Sequence, residues 1–346
     1  MTAVLTTTSV VVAGRARRGA RRRRVLVVLA VVALALLAAS LLAGTTYHPP
    51  ADVLRALAGE NIPGASFAVR ELRLPRAVTG LAVGLAFGVA GTVFQTMLRN
   101  PLAAPDVIGI SSGASAAAVF GIVVLSLGDT AVALLALGGG LTTATLIYLL
   151  AVRQGFAGTR LILIGIGMAA MLDSTVTYVL SRASQWDLQA AMQWLAGSLN
   201  GASWSRTLPL LLALAVGLPL IAGQARNLQQ LRLGDDAAAG VGVPVDLTRL
   251  VLIATAVTLL SVATAAAGPI AFVAFMAGPI AARLIGQGDS PVLAAGMVGA
   301  ILVLAADLVG QLATGTRYPV GVVTGVLGAP YLLYLLVRTY RTGGAL

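Results

Sequence analysis

Runs of predominantly apolar residues alternate with short polar segments along almost the whole chain. These runs lie at about 25–44, 78–97, 107–127, 130–152, 161–181, 207–223, 250–267, 270–285, 291–311 and 320–337. A membrane-spanning helix needs about 20 apolar residues to cross hydrocarbon that is about 30 Å thick. The pattern therefore predicts an all-α integral membrane protein with about ten transmembrane helices. We expect the eighth run to be short and broken at Pro279.

Within the second run, glycine recurs at every fourth residue, at Gly80, Gly84 and Gly88. Residues four apart share one face of a helix, so the missing side chains form a stripe along that face. In membrane helices such a stripe lets a second backbone approach closely. We therefore expect this helix to pack inside a bundle.

Composition supports a membrane protein: 58% of the residues are hydrophobic, 10% are charged, and the mean hydropathy is +0.94. Soluble domains have about 45–50% apolar and about 25% charged residues. The chain has no cysteine, which excludes disulfides and thiolate metal sites. Its single histidine, His48, argues against an imidazole metal site, so we expect no metal bound by this chain.

Two short motifs, one for nucleotide binding and one for a catalytic metal, are absent from the sequence. All basic residues are arginine, so the GxxxxGK[ST] phosphate loop, which requires lysine, cannot occur, and HExxH is absent. We expect no catalytic residue and no cofactor in this chain. If ATP drives the protein, a separate chain hydrolyses it.

Arginine placement predicts the orientation in the membrane. Residues 1–24 end in RARRGARRRR, and the following apolar run is longer than the about 7–15 residues of a secretory signal core, which predicts an uncleaved helix. With the N-terminus in the cytoplasm, most arginines fall on the cytoplasmic side, as the positive-inside rule requires. An even number of spans also returns the C-terminus there. We interpret the basic run as a topology signal rather than as a lipid or nucleic-acid site.

The predicted organisation has three parts. Residues 1–24 form a basic cytoplasmic tail, residues 25–338 form one transmembrane domain, and residues 339–346 form a cytoplasmic tail. The longest cytoplasmic loop spans 224–249. In it, Asp235 and Asp236 suit a helix N-terminus, and Gly240 or Gly242 before Pro244 suits its end. Such a helix either seats in a groove of another protein or is a capped, solvated loop helix.

Charges outside this loop leave further alternatives open. Arg70, Arg73 and Arg76 are spaced by three on the predicted external side and should project together, towards either lipid headgroups or an acidic partner. Asp173 and Asp307 fall inside apolar runs, where a carboxylate points to a function. Asp173 either faces a polar pathway or carries protons. Asp307 is expected to hold Ser, Thr or backbone groups of a neighbour.

Five sequence blocks occur in an order that resembles the permease family of ferric-siderophore, haem and vitamin B12 importers, the type II ABC importers. The blocks are RLPR with its glycine-stepped run and NPLAAPDVIGISSGA (73–114), WLAGSLNGASW (194–204), LGDDAAAGVGV (233–243), GPIAFVAF (268–275) and PVGVVTGVLGAPYLLYLL (319–336). The resemblance covers nearly the whole chain after its N-terminal tail. One departure occurs after GPIAFVAF, where many relatives have Pro-His and an arginine three residues beyond. Here Gly278, Pro279 and Ala282 stand at those positions.

The resemblance implies ten helices per subunit and a complex with several partners. These are a second permease subunit, identical or paralogous, two ATP-binding subunits that carry ATP and Mg, and an external substrate-binding protein. By the same resemblance, acidic residues of the binding protein dock on Arg73, Arg76 and Arg317.

The remaining matched positions imply a gate and a coupling segment. The gate residues at the cytoplasmic side are Asn100, Leu102, Gly158 and Thr159, and Asp173 lies near the pathway if it faces inward. The residues that receive the closure of the ATPase are Leu233, Gly234, Asp235, Asp236, Ala239, Gly240 and Gly242.

The predicted function is that of a permease subunit which imports a ferric siderophore across the bacterial plasma (inner) membrane, in contact with lipid and with no nucleic acid. The same machine importing cobalamin or haem is the nearest alternative. An ion-coupled secondary transporter that uses Asp173, and a membrane scaffold without transport, are alternatives from other classes.

Overall fold

The computed structural model describes residues 2–44, 46–103, 109–152, 158–286, 290–313 and 316–341. These residues form helices and no strand, which confirms the all-α prediction. The helices are α1 (Thr2–Leu42), α2 (Pro50–Leu57), α3 (Leu74–Met97), α4 (Ile110–Val123), α5 (Asp129–Val152), α6 (Gly158–Ser181), α7 (Gln185–Leu195), α8 (Trp204–Gly223), α9 (Ala225–Gln230), α10 (Asp235–Gly240), α11 (Val245–Ala267), α12 (Val273–Ile285), α13 (Val292–Leu312) and α14 (Val320–Arg341). A π-helical turn, Ala68–Arg73, runs directly into α3, and a 3-10 turn, Leu231–Leu233, precedes α10.

Within the described ranges, eight helices are long and apolar enough to cross a membrane, which makes this a multi-pass membrane protein. They are α1, α3 with its preceding π-turn, α5, α6, α8, α11, α13 and α14. The third and eighth predicted runs are shorter helices, α4 with 14 residues and α12 with 13. The count of ten spans therefore stays a prediction.

The first helix extends further than the sequence predicted. α1 begins at Thr2, so the basic tail and the first apolar run form one helix of 41 residues. At 1.5 Å per residue it is about 60 Å long, roughly twice the thickness of the hydrocarbon. Residues 15–24 consist mostly of arginine and alanine, which are strong helix formers, and α1 contains no proline, so the helix is not interrupted where the apolar run begins. Arg21 Nε donates to the Leu284 carbonyl at 3.2 Å, at the end of α12.

α3 lies at the centre of the bundle, with most of its residues buried and with α8, α11, α12 and α13 packed around it. Its glycine stripe faces α13. A Cβ atom on Gly84 would overlap the backbone of Gly299 and Ala300, and one on Gly88 would overlap the Ala295 carbonyl. The stripe therefore brings two backbones together, which confirms the predicted packing role.

The predicted break at Pro279 is wrong, because α12 continues through this residue. The chain instead changes direction just before α12, where Gly268 has φ +74° and Phe272 has φ +65°. A proline has no N–H, so Pro279 leaves the carbonyl of Phe275 without its helical donor. Gln95 of α3 supplies a donor from outside the helix, and the helix persists.

Candidate functional site

Two arginines near the predicted external face hold the ends of neighbouring helices. Arg70 donates to the carbonyl oxygens of Ala56 and Glu60, at the end of α2. Arg73 donates to three carbonyl oxygens at and after the end of α1, those of Leu41, Leu42 and Thr46. These bonds satisfy acceptors that a helix C-terminus leaves open. The expectation that Arg70, Arg73 and Arg76 project together is wrong, because each side chain turns to a different neighbour.

Arg76 forms an ion pair with Asp307 of α13. Its Nε lies 2.9 Å from Oδ2 and its Nη2 lies 2.7 Å from Oδ1. Arg76 Nη1 also donates to Asn200 Oδ1 at 2.8 Å, and Gln311 Nε2 donates to Asp307 Oδ2 at 2.8 Å. The expectation that Asp307 holds Ser, Thr or backbone groups is wrong, since a guanidinium reaches it across the α3–α13 contact. The pair joins α3, α13 and the segment before α8, whereas Arg317 is exposed on the chain before α14.

The turn after α3 carries two of the predicted gate residues, Asn100 and Leu102. The Asn100 N–H donates to the Gln95 carbonyl at 3.1 Å, and the Arg99 N–H donates to the Thr96 carbonyl at 3.2 Å. These bonds form a Schellman motif, whose left-handed position usually holds glycine. Here Arg99 occupies that position with φ +52°. A residue with a Cβ atom pays about 1–2 kcal/mol in this conformation, so an arginine there points to a use for its side chain.

The Arg99 side chain reaches the loop that was predicted to couple to an ATPase. Its Nη2 lies 3.5 Å from Oδ1 of Asp235, the first residue of α10. Arg249, near the start of α11, donates from Nη2 to the same oxygen at 2.5 Å, and its side chain is only 7% exposed. One carboxylate therefore ties together the α3 turn, α10 and α11.

A polar cavity of about 340 Å³ lies at this junction. Its walls include three predicted gate residues, Asn100, Gly158 and Thr159, together with Asp235 of the predicted coupling segment. The structure thus brings gate and coupling residues to one place. Leu102 lies apart from them, in an apolar cluster with Phe275 and other residues of α12 and α14.

The helix predicted in the cytoplasmic loop is present as α10, which begins at Asp235 and ends at Gly240, whereas its coupling role stays a prediction. Gly234 and Gly242 flank it in left-handed conformations, with φ of +111° and +88°. Ala238 is its buried residue. The exposed predicted positions are Leu233, Asp236, Ala239, Gly240 and Gly242. Leu233 and Val241 expose large apolar side chains, by 68% and 64%, which suits contact with another protein.

Asp173 is exposed on α6, a helix whose surface this chain leaves largely uncovered. Apolar residues are exposed on the same helix, among them Leu163, Ile166 and Met171. A carboxylate facing lipid near the middle of a span costs at least about 2.5–3.5 kcal/mol. This part of α6 therefore requires water or another protein chain beside it.

Sequence reasoning missed Arg99 and Arg249 as members of this junction. Arg99 stands immediately before the NPL turn, and Arg249 lies at the end of the predicted cytoplasmic loop. Asp246 is closer to Arg249 in sequence than Asp235 is, so no local signal indicated the pairing with Asp235. Across the described parts of the chain, no group of three or more His, Cys, Asp or Glu side chains is arranged to hold a metal ion.

The helix bundle, the exposed α10 and the polar junction beneath it define a multi-pass membrane permease. The model of the FecCD transport family matches residues 20–338, and the chain belongs to this family.

Relatives are similar over most of both chains. The ferric enterobactin transport system permease protein FepG of Escherichia coli is 42% identical over 292 residues, 84% of this chain and 88% of the relative. The achromobactin transport system permease protein CbrC of Dickeya dadantii is 42% identical over 296 residues, 84% of each chain. The cobalamin import system permease protein BtuC of Halobacterium salinarum is 35% identical over 275 residues, 79% of this chain and 74% of the relative.

A solved structure shares the fold. It is a metal-chelate type ABC transporter in an inward-facing conformation, with a TM-score of 0.82 and 23% sequence identity. The similarity covers 91% of this chain and 99% of the other.

Proposed function

We propose that this chain is the transmembrane permease subunit of an ATP-driven importer that moves a ferric siderophore across the bacterial plasma (inner) membrane. The observation that carries the proposal is the junction at Asp235, where the loop helix α10 forms an ion pair with Arg99 in the turn that bears Asn100. A displacement of α10 by a partner protein would therefore act on the polar cavity, because Asp235 of α10 forms part of its wall. One relative at 42% identity is named as a ferric enterobactin transport permease, which supports the cargo.

The proposed complex contains this permease, a second permease subunit, two ATP-binding subunits and an external substrate-binding protein. The ATP-binding subunits hold ATP and Mg, and this chain binds neither. The exposed Asp173 supports a second permease copy or paralogue, because α6 requires a protein or water neighbour there. The ferric ion arrives already chelated as cargo, so the pathway needs no protein metal ligands.

The coupling step follows from the ion pairs of Asp235. When the ATP-binding subunits close, they displace α10 through its exposed residues Leu233 and Val241. Because Asp235 binds both Arg99 and Arg249, this displacement is passed to the α3 turn and to α11. The distance between the cavity walls that carry Asn100 and Thr159 then changes, which opens or closes the pathway to the cytoplasm.

The loss of this carboxylate tests the coupling step. We expect Asp235→Ala to lower transport by about three- to thirtyfold, the range of coupling changes that single residues produce. ATP hydrolysis by the purified complex should persist, since the variant leaves the ATP-binding subunits unchanged. A variant that transports at the rate of the unsubstituted complex would contradict this role of Asp235.

Docking of the binding protein is proposed on the outer face that carries Arg73, Arg76 and Arg317. Arg317 is exposed and open to an acidic partner. Arg73 and Arg76 are bonded within the chain, and the charge of Arg76 is paired with Asp307, so these two arginines hold the outer segments in place. The docking test therefore uses Arg317→Glu, which leaves the internal bonds of the other two arginines intact.

The experiment for function is uptake by a strain that lacks this gene. Radio-iron-labelled ferric enterobactin and ferric achromobactin are supplied, with labelled cobalamin in parallel. We expect iron uptake to be lost, restored by the unsubstituted gene, and weakly restored by Arg317→Glu. Lost cobalamin uptake with normal iron uptake would move the cargo to cobalamin, as the relative at 35% identity allows. If all three substrates enter normally and no other importer compensates, the proposed function is wrong.

A further inference from the structure

Gln95, a buried residue near the end of α3, bonds two separate parts of the chain through one side-chain amide. Its Nε2 donates to the Phe275 carbonyl of α12 at 2.9 Å and to the Pro101 carbonyl of the α3 turn at 3.0 Å. Both partners are carbonyl oxygens, which only accept, so the side-chain nitrogen of Gln95 must point towards them. Its two N–H groups can donate one hydrogen bond to each oxygen.

The bond to Phe275 replaces the one that Pro279 cannot make. Phe275 lies four residues before Pro279, so its carbonyl would be an unpaired acceptor inside an apolar helix. Neighbouring side chains commonly satisfy such carbonyls in membrane helices. A Cβ atom on residue 278 would overlap Gln95 Oε1, so the amide fits only because Gly278 has no side chain.

The α3 turn contacts α12 a second time through Leu102. Leu102 packs in the apolar cluster that contains Phe275 and Met276 of α12 and Leu335 of α14. The hydrogen bond from Gln95 and the apolar contact of Leu102 therefore involve the same turn of α12, just before Pro279.

We propose that Gln95 is a positioning residue that couples the part of α12 around Pro279 to the turn bearing Asn100 and Leu102. When this part of α12 moves, the amide and the Leu102 contact carry the turn with it, so the polar cavity changes shape. The transport consequence rests on the proposed function, whereas the bond geometry stands without it.

The first test is a double-mutant cycle on thermal unfolding of the purified complex, which requires no transport. Gln95→Leu removes both bonds at similar volume, and Pro279→Ala restores the N–H that binds the Phe275 carbonyl within α12. We expect Gln95→Leu to lower the melting temperature, and to lower it less in the Pro279→Ala background. Equal losses in the two backgrounds would overturn the proposal.

The second test follows the cavity beside the turn and leaves both contacts of the turn with α12 intact. The chain has no cysteine, so a single Thr159→Cys substitution, at an exposed residue of the cavity wall, can be labelled specifically with a thiol reagent. Labelling rates are compared without nucleotide and with ATP and vanadate, in three backgrounds: unsubstituted, Gln95→Leu and, as a matched change at an exposed position, Gln189→Leu. We expect nucleotide to change the rate severalfold in the unsubstituted and Gln189→Leu backgrounds and hardly at all in Gln95→Leu.

An unchanged nucleotide response in Gln95→Leu would overturn the coupling. Absence of a response in every background would overturn the ATP-driven function instead, and the unfolding cycle would still decide whether Gln95 completes α12.

Discussion

Burial decides how much the ion pair between Arg76 and Asp307 contributes to stability. Its side chains are 14% and 2% exposed, so little solvent screens their attraction, and Asn200 and Gln311 complete their hydrogen bonds. Removing one member of such a pair leaves the other charge buried without its partner. In contrast, the side chains of the pair between Arg55 and Glu60 are more than half exposed. Exposed ion pairs contribute about 0–1 kcal/mol to stability.

Asp307→Ala should therefore lower the free energy of unfolding by about 3–5 kcal/mol, because Arg76 would remain buried and uncompensated. The measurement is thermal or denaturant unfolding of the purified permease. Arg55→Gln is the control, with an expected loss of at most about 1 kcal/mol. Equal effects of the two substitutions would contradict a stabilising role of the buried pair.

Arg99 combines a strained backbone with a side chain that contacts Asp235, and a comparison of two substitutions separates these effects. Arg99→Gly removes the cost of the left-handed conformation and also the contact with Asp235. We expect unchanged or higher stability but slower transport. Arg99→Ala keeps the strain and loses the contact, so it should be impaired in transport and less stable than Arg99→Gly. The two unfolding temperatures and transport rates of the reconstituted complex provide the check, and full transport by Arg99→Gly would show that the contact is dispensable.

At the scale of elements, the contact between α3 and α13 depends on glycine at the crossing. Gly84 and Gly299 face each other so closely that neither can carry a side chain without moving a backbone. Backbone cannot rotate away as a side chain can, so even one methyl group forces the helices apart.

Gly84→Ala should therefore destabilise the protein by about 1–3 kcal/mol despite the higher helix propensity of alanine. Gly138→Ala is the matched control, since Gly138 lies within α5 and a Cβ atom there meets nothing within 4 Å. The control should be neutral or slightly stabilising. Comparable losses of unfolding free energy in both variants would mean that the crossing tolerates a methyl group.

Over the whole molecule, the sequence predicted the features that depend on neighbouring residues. Run lengths predicted the eight helices that are long enough to cross a membrane, although the predicted count was ten. The four-residue glycine spacing predicted the buried face of α3, and Asp235 with Gly240 or Gly242 predicted the bounds of α10 to within two residues. Contacts across the bundle were not predictable in this way. Arg76 and Asp307 are 231 residues apart, and their pairing follows from how α3 and α13 pack.

The continuation of α12 through Pro279 also depends on a contact across the bundle. A local rule predicts a break there, but Gln95, distant in sequence, satisfies the carbonyl that the proline leaves open. The extension of α1 was missed for the opposite reason, since hydropathy marks the membrane boundary and not the end of a helix. Polar junctions formed by distant residues, such as that of Asp235 with Arg99, therefore have to be read from the structure.

We propose that ATP hydrolysed on partner subunits drives a ferric siderophore through this chain. The most direct measurement is accumulation of radio-iron-labelled ferric enterobactin and ferric achromobactin in proteoliposomes containing the permease, its ATP-binding subunits and its binding protein. Uptake is compared with ATP, without ATP, and with an imposed proton gradient in place of ATP, in the unsubstituted chain and in Asp173→Asn. We predict that uptake of at least one of these siderophores requires ATP and persists in Asp173→Asn. Uptake driven by the proton gradient without ATP, and lost in Asp173→Asn, would contradict ATP-driven transport and identify an ion-coupled transporter.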